Sequence, residues 1–299
     1  MMSPQSLKIE SDSNGFTTLW LSPNPEKPRG GVVVLDDWLI SEIDASLQII
    51  AEDRNLNGFI LRSASERVFV AGADLAEIDA LDDPSLNAYL VRGATAFGRI
   101  AKLPCPTVAI LNSSALGGGL EIAMHCDDIV AIMSPSDAKQ WRIGLPECGL
   151  GICPGWGGSQ CLPARIDPAI ALEATATGTT WGCRDAPSGL FAAVVEDVSS
   201  AVDAARVLLQ RAGARGMTTR TIPKSISESG LKSSTRAALD AASPVGWPST
   251  ETGHAIADAV RRGLEGGYSI GCEAEREHLV RLRHSPGARA KLDAFLKRG

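Results

Sequence analysis

The residues with chemistry to offer crowd into one stretch, Asn112 to Gln160. Gly117, Gly118 and Gly119 stand at the mouth of a short apolar segment, and Glu121 falls in its first helical turn. Glu147 follows on a Pro-Glu corner that runs into a second glycine-rich turn. Two carboxylates brought to one cleft can serve as general base and general acid. Backbone N–H groups at a glycine-lined helix entrance can hold a developing oxyanion. Each feature alone has a plainer use. Three glycines also make a tight turn without a ligand. Glu121 would complement a helix dipole for about 0.3–1 kcal/mol, and a lone loop glutamate such as Glu147 is ordinarily solvated. It is the pair of acids beside glycine corners that points to a site.

Ala71-Gly72-Ala73-Asp74 is a second small-residue corner, and it follows an apolar run. A small residue whose N–H faces a cleft supplies half an oxyanion hole; a crowded strand-to-helix turn is the alternative. Both corners follow a buried strand in the pattern, and in open α/β sheets ligands bind at the carboxyl ends of strands.

The elements that position these corners read as α/β. Phe16–Leu21 and Gly31–Leu35 are extended, with the turn-forming PNPEKPRG between them. Asp36 or Asp37 caps a helix on which Leu39, Ile43, Leu47 and Ile50 recur at one-turn spacing. Gly58–Leu61 and Thr107–Leu111 are short apolar runs, as expected of strands buried on both faces. Asp83-Pro84 opens a long helix ended by Pro104 and Pro106, and Asp167-Pro168 opens another that stops at Gly178. Ala192–Val195 is a brief extended segment, and a helix follows from Ser199 or Ser200. The domain reading is a flexible terminus at 1–15, an α/β core at 16–198 and a helical region at 199–299. That last region contains a Ser/Thr/Pro/Gly-rich loop at 213–250 and helices from Glu251, Glu273 and Pro286.

Composition narrows the class. The chain has 299 residues, 44% hydrophobic and 21% charged, with a net charge of −6. That length supports a full core. The acidic balance argues against nucleic acid held by general electrostatics. Seven cysteines without a CxxC pair or a His partner at ligand spacing read as free thiols, with no metal site. No signal-like N-terminus and no apolar run of about 18 residues leads to the expectation of a cytoplasmic protein off the membrane.

VAGADL (Val70–Leu75), ALGGGLEIA (Ala115–Ala123), CDDIVA (Cys126–Ala131) and GLPECGLGICPGWGGSQ (Gly144–Gln160) together resemble the enoyl-CoA hydratase (crotonase) family. They come in the family's order and near its spacing. The likeness covers residues 16–200 well and 250–298 more weakly; VFVAGADL preceded by NGFILRS is especially similar to the hydratase part of multifunctional fatty-acid oxidation proteins. The resemblance implies a spiral of ββα repeats with a C-terminal helical region, assembled as a homotrimer or a dimer of trimers. It implies an acyl-CoA thioester substrate and no cofactor beyond the coenzyme A that the substrate carries. By the same likeness, Ala73 and Gly118 donate backbone N–H bonds to the thioester oxygen. Ala71, Asp74 and Leu75 join them around the substrate. Glu121 and Glu147 match the hydratase pair, one taking a proton from water and the other protonating C2.

This chain departs from the family pattern in several places. The gap between the two glutamates, around SPSDAKQW, is longer, which puts the place of Glu147 in question. Ala76 stands where many relatives have a Lys near the CoA phosphates, Ser113 replaces a Gly, and Cys161 replaces a frequent Arg. Lys27 and Arg29 are candidates to meet phosphate, against the plainer reading of a solvated loop. Trp156 is open between lining an acyl pocket and plugging the core. His125 and His278 have no nucleophile or metal partner and read as surface or packing residues. Hydration of a 2-enoyl-CoA is the leading expectation. A double-bond isomerase needing one carboxylate and a non-catalytic scaffold or RNA-binding protein are the alternatives.

Overall fold

A computed structural model describes residues 7–135, 137–214, 220–242 and 249–297. The chain repeats one unit: a strand in a large sheet, a short strand or bridge in a second ladder, then a helix. β2 (Phe16–Leu21) leads to the bridge at Leu35 and helix α1 (Asp37–Ala51). β3 (Gly58–Ser63) leads to bridges at Val70 and Ala73, then α2 (Leu75–Ala80) and α3 (Asp83–Lys102). β4 (Thr107–Leu111) leads to β5 (Ala115–Leu116) and α4 (Gly118–Met124). β6 (Asp128–Ile132) leads to β7 (Arg142–Gly144), a 3-10 turn at Glu147–Leu150, and α5 (Gly158–Cys161). α6 (Pro168–Thr177), β8 (Thr180–Gly182) and β9 (Ala193–Val195) close the spiral. With β1 (Lys8–Ser11) at its edge, the large sheet runs β1-β2-β3-β4-β6-β9, parallel except for β1 on β2. The small sheet runs β5-β7-β8.

The apolar strands are buried on both faces, which is why they do not alternate in sequence. Phe59, Leu61, Ala109 and Leu111 enter the main core, while Ile60, Val108, Ile110 and Val130 face the opposite way. That second face is covered by Ala201, Ala205 and Leu209 of α7 (Val198–Ala214). α8 (Ser229–Ala242), α9 (Glu251–Gly266), α10 (Tyr268–Leu282) and α11 (Pro286–Leu296) complete the chain.

Four expectations need correction. Residues 8–11 are a strand rather than frayed chain, because their backbone pairs with β2 and Glu10 accepts a 2.6 Å bond from the Trp20 indole. The extended segment at 31–35 makes one parallel bridge and no strand. The 213–250 stretch holds α8, whose buried Thr235 and Leu239 lie four apart, a helical repeat diluted by Ser and Ala; its residues 215–219 and 243–248 lie outside the described residues. α10 begins at Tyr268, not near Glu273, because Gly267, at φ 91°, turns the chain straight out of α9.

Candidate active site

The two glycine corners meet through the second ladder. Val70 bridges Ala115 in parallel, and the Leu116 N–H donates to the Val70 carbonyl. This brings Ala71, Gly72 and Ala73 beside Gly117 and Gly118 on one cavity. Leu75, Ile78, Leu90, Leu150 and Ile152 give the cavity apolar walls, while Glu121 and Glu147 supply its acids. The longer gap between the glutamates does not displace Glu147: β7 pairs with β5 and returns the chain to the cavity.

Backbone bonding in the corners is selective. Ala71 spends its N–H on the Val33 carbonyl and Asp74 spends its own on Leu35. Among the described residues the Ala73 N–H has no acceptor, and Gly118, as the first residue of α4, has no helical one either. Asp74 does not line the cavity. Its Oδ1 caps α2 by accepting from the Ala76 and Glu77 N–H groups, and its Oδ2 pairs with Arg29. Arg29 is thereby engaged within the protein, and Lys27 lies 3.9 Å from Glu77.

Glu121 projects from the first turn of α4 and is 1% exposed. Its Oε1 accepts two backbone bonds, from Trp156 N–H and Gly158 N–H, each 2.8 Å. Burial pushes its carboxyl well above the usual range, with the nearby charges of Glu147 and Glu275 adding to this; the two N–H bonds act against it. Glu147 opens the 3-10 turn after Pro146, and its Oε2 is buried without a hydrogen-bond partner. Burial, its largest cause, raises Glu147 to about 8; its own backbone N–H acts against this, and the Glu275 charge adds to it. Two acids raised together retain a shared proton near neutral pH. The two donors on Glu121 favour its charged form, since hydrogen bonds to an ionised carboxylate stabilise it, but burial and the Glu147 charge outweigh them.

Trp156 both lines the cavity and plugs the core. Its ring lies 5.7 Å from Tyr89 and 5.2 Å from Phe97, and its indole N–H donates to the Leu90 carbonyl at 2.9 Å. His125 is buried packing: its ring stands edge-on to Phe97, and burial lowers it to about 4. His278 sits partly exposed on α10, 2.8 Å from Asp258. All seven cysteines are buried and unpaired.

The residue that sequence reasoning missed is Glu275 of α10, which is fully buried. Its Oε2 accepts from Gly157 N–H and its Oε1 from Ser159 N–H, both at 2.7 Å. A signal existed. Cys272, Glu275, Leu279 and Leu282 lie on one helical stripe, and a glutamate within an apolar stripe needs a buried partner.

The family model described as enoyl-CoA hydratase/isomerase matches residues 32–243. Solved structures resemble the chain along nearly its whole length. The enoyl-CoA hydratase of Bacillus anthracis is 24% identical at a TM-score of 0.61, covering 98% of this chain and 97% of that one. The enoyl-CoA hydratase of Bacillus halodurans is 19% identical at 0.67, covering 97% and 100%. An enoyl-CoA hydratase/isomerase of Pseudoalteromonas atlantica is 20% identical at 0.64, covering 98% of each. At these identities the structures establish the shared fold.

Proposed function

Because the chain belongs to the enoyl-CoA hydratase/isomerase family, we propose that it adds water across the C2=C3 double bond of a 2-enoyl-CoA thioester. The observation that carries this reading is the meeting of Glu121 and Glu147, in opposite surroundings, on one cavity with Ala73 and Gly118. In the proposed step, water between the carboxyls attacks C3 and Glu121 takes its proton. The C2=C3 electrons move toward the thioester oxygen, giving an enolate held by the Ala73 and Gly118 N–H groups. Each such donor is worth about 2.7–4 kcal/mol in the transition state. The enolate collapses as Glu147 delivers its proton to C2. Glu121 is then protonated and Glu147 ionised, and one proton transfer between them restores the pair. The reaction needs no group beyond the coenzyme A of the substrate.

A double-bond shift run by Glu147 alone is the second reading. What favours it is that Glu121 Oε1 accepts both its bonds from backbone, as it would if it served only to hold the turn. The test is a panel of 2-enoyl- and 3-enoyl-CoA thioesters of increasing chain length, following the enoyl absorbance. Loss of 2-enoyl absorbance supports hydration. Turnover of 3-enoyl substrates alone moves the assignment to the isomerase, and silence across the panel removes both. We further propose a trimer or a dimer of trimers, which sedimentation equilibrium tests. No helix among the described residues is long and apolar enough to cross a membrane.

A further inference from the structure

Four consecutive backbone N–H groups, Trp156 to Ser159, are divided between two buried carboxylates. Trp156 and Gly158 donate to Glu121, while Gly157 and Ser159 donate to Glu275. Gly157 stands within this run at a φ of 99°, a left-handed conformation that favours glycine. The turn is thus a plate gripped on both faces. Glu121 comes from the spiral core, whereas Glu275 comes from α10, beyond the residues that the family model matches.

We propose that Glu275 is a positioning residue for the acid pair: by gripping Gly157 and Ser159 it fixes the turn whose other N–H groups hold Glu121. This rests on the hydratase reading of Glu121. Two features favour it over a purely structural role. A buried carboxylate is costly unless it is paired or well hydrogen-bonded, and Glu275 meets that cost with bonds to the very turn that Glu121 uses. Its charge also lies close enough to Glu121 and Glu147 to raise both.

The groups facing Glu275 are Glu121 of α4, Glu147 and Cys148 of the 3-10 turn, Cys153 beyond it and Cys161 of α5. Tyr268, Cys272 and Arg276 share its helix. Burial drives the thiols and the phenol up, so they stay neutral through the working range. Burial raises the Glu275 carboxyl, and the bonds from Ser159 and Gly157, then the charge of Arg276, act against that rise. The charge that Glu275 adds therefore falls on the two acids.

The experiment is Glu275→Gln, with Glu275→Asp as the conservative partner, read in two ways. In crotonyl-CoA hydration, Glu275→Gln is expected to lose about tenfold or more in kcat with KM within about threefold, as displaced catalytic geometry does. In carbon-13 NMR of labelled glutamates, the Glu121 and Glu147 titration is expected to move to lower pH. Glu275→Asp is expected to keep the titration in place while restoring part of kcat. A folded Glu275→Gln with wild-type kcat and an unmoved titration overturns the proposal. Should that variant not fold, wild-type amide shifts decide. Gly157 and Ser159 protons must follow one carboxylate and Trp156 and Gly158 the other, and four amides following a single titration overturn the proposal. If the wild type hydrates nothing yet titration and amides behave as expected, the hydratase reading falls and the grip by Glu275 is supported.

Discussion

Glu121 and Glu147 are one residue type on one cavity, and they stand in opposite surroundings. The helix-borne acid has an oxygen saturated by two backbone donors in a turn braced from behind by Glu275. The corner-borne acid has a buried oxygen with no partner. The difference teaches that what the backbone offers each carboxylate is set by the fold and not by residue type. Two donors favour the charge on Glu121, and burial works against charge on both acids.

The largest expected effect separates the two acids by stability while leaving them alike in rate. Glu121→Gln and Glu147→Gln are each expected to lower crotonyl-CoA hydration by about 10²–10⁴-fold, the usual worth of a general acid or base. Thermal unfolding at pH 8 should split them. Glu121→Gln removes the charge that two N–H groups were built to meet and lowers Tm. Glu147→Gln removes a carboxylate that burial disfavours and leaves Tm equal or higher. Equal Tm losses in both variants would break the comparison.

Next comes the corner itself. Gly117 has φ 53° and ψ −124°, and a methyl group added there would lie 2.5 Å from Glu147 Oε1. Gly117→Ala is expected to push Glu147 aside and cost about 10²-fold in kcat, the effect of a misplacement on the order of 1 Å. A Gly117→Ala enzyme with wild-type turnover would show that the position of Glu147 is not critical.

How much of this was readable beforehand follows the range of the interactions. Local signals were plain: Asp36 caps α1, Asp167-Pro168 opens α6 and Gly178 ends it, and β4 spans Thr107–Leu111 as its apolar run suggests. The glycine corners and both acids were legible because residue type and spacing carry them. Asp74 was ambiguous, since an Asp beside a small-residue corner suits a cap as well as a ligand contact; the structure shows the cap. Glu275 was lost among the charged Glu273, Arg276 and Glu277, and its partners lie more than a hundred residues upstream. α8 was hidden because Ser and Ala outnumber its two buried anchors.

The pH dependence sharpens the same contrast. Glu147 must be protonated to serve C2, and burial raises it to about 8. Hydration is therefore expected to fall as pH rises through about 8, an alkaline limb absent from the residual activity of Glu147→Gln. Stability follows the same group. Its folded value lies above the ordinary 4.5, so its contribution is fully present below about 4.5 and is lost as pH rises toward 8. Tm should decline across that window in the wild type and less steeply in Glu147→Gln. A wild-type Tm flat from pH 5 to 8 would contradict the buried, neutral acid.

The smallest effect tests where the catalytic region ends. Asp74 adjoins Ala73 in sequence, yet its carboxylate faces the protein: it caps α2 and pairs with Arg29. Asp74→Ala removes a helix cap, which costs about 1 kcal/mol. It also frees Arg29, which is partly exposed and can regain water, so the lost ion pair adds little. The Ala73 N–H belongs to the backbone and is held in place by the flanking bonds of Ala71 to Val33 and of Asp74 to Leu35, neither of which uses the removed side chain. Tm should therefore drop by a few degrees while kcat on crotonyl-CoA stays within about threefold of wild type, read by calorimetry and steady-state hydration on the same sample. A loss of kcat on the scale of Glu147→Gln would mean that Asp74 reaches the substrate after all, and that the catalytic boundary lies past Ala73.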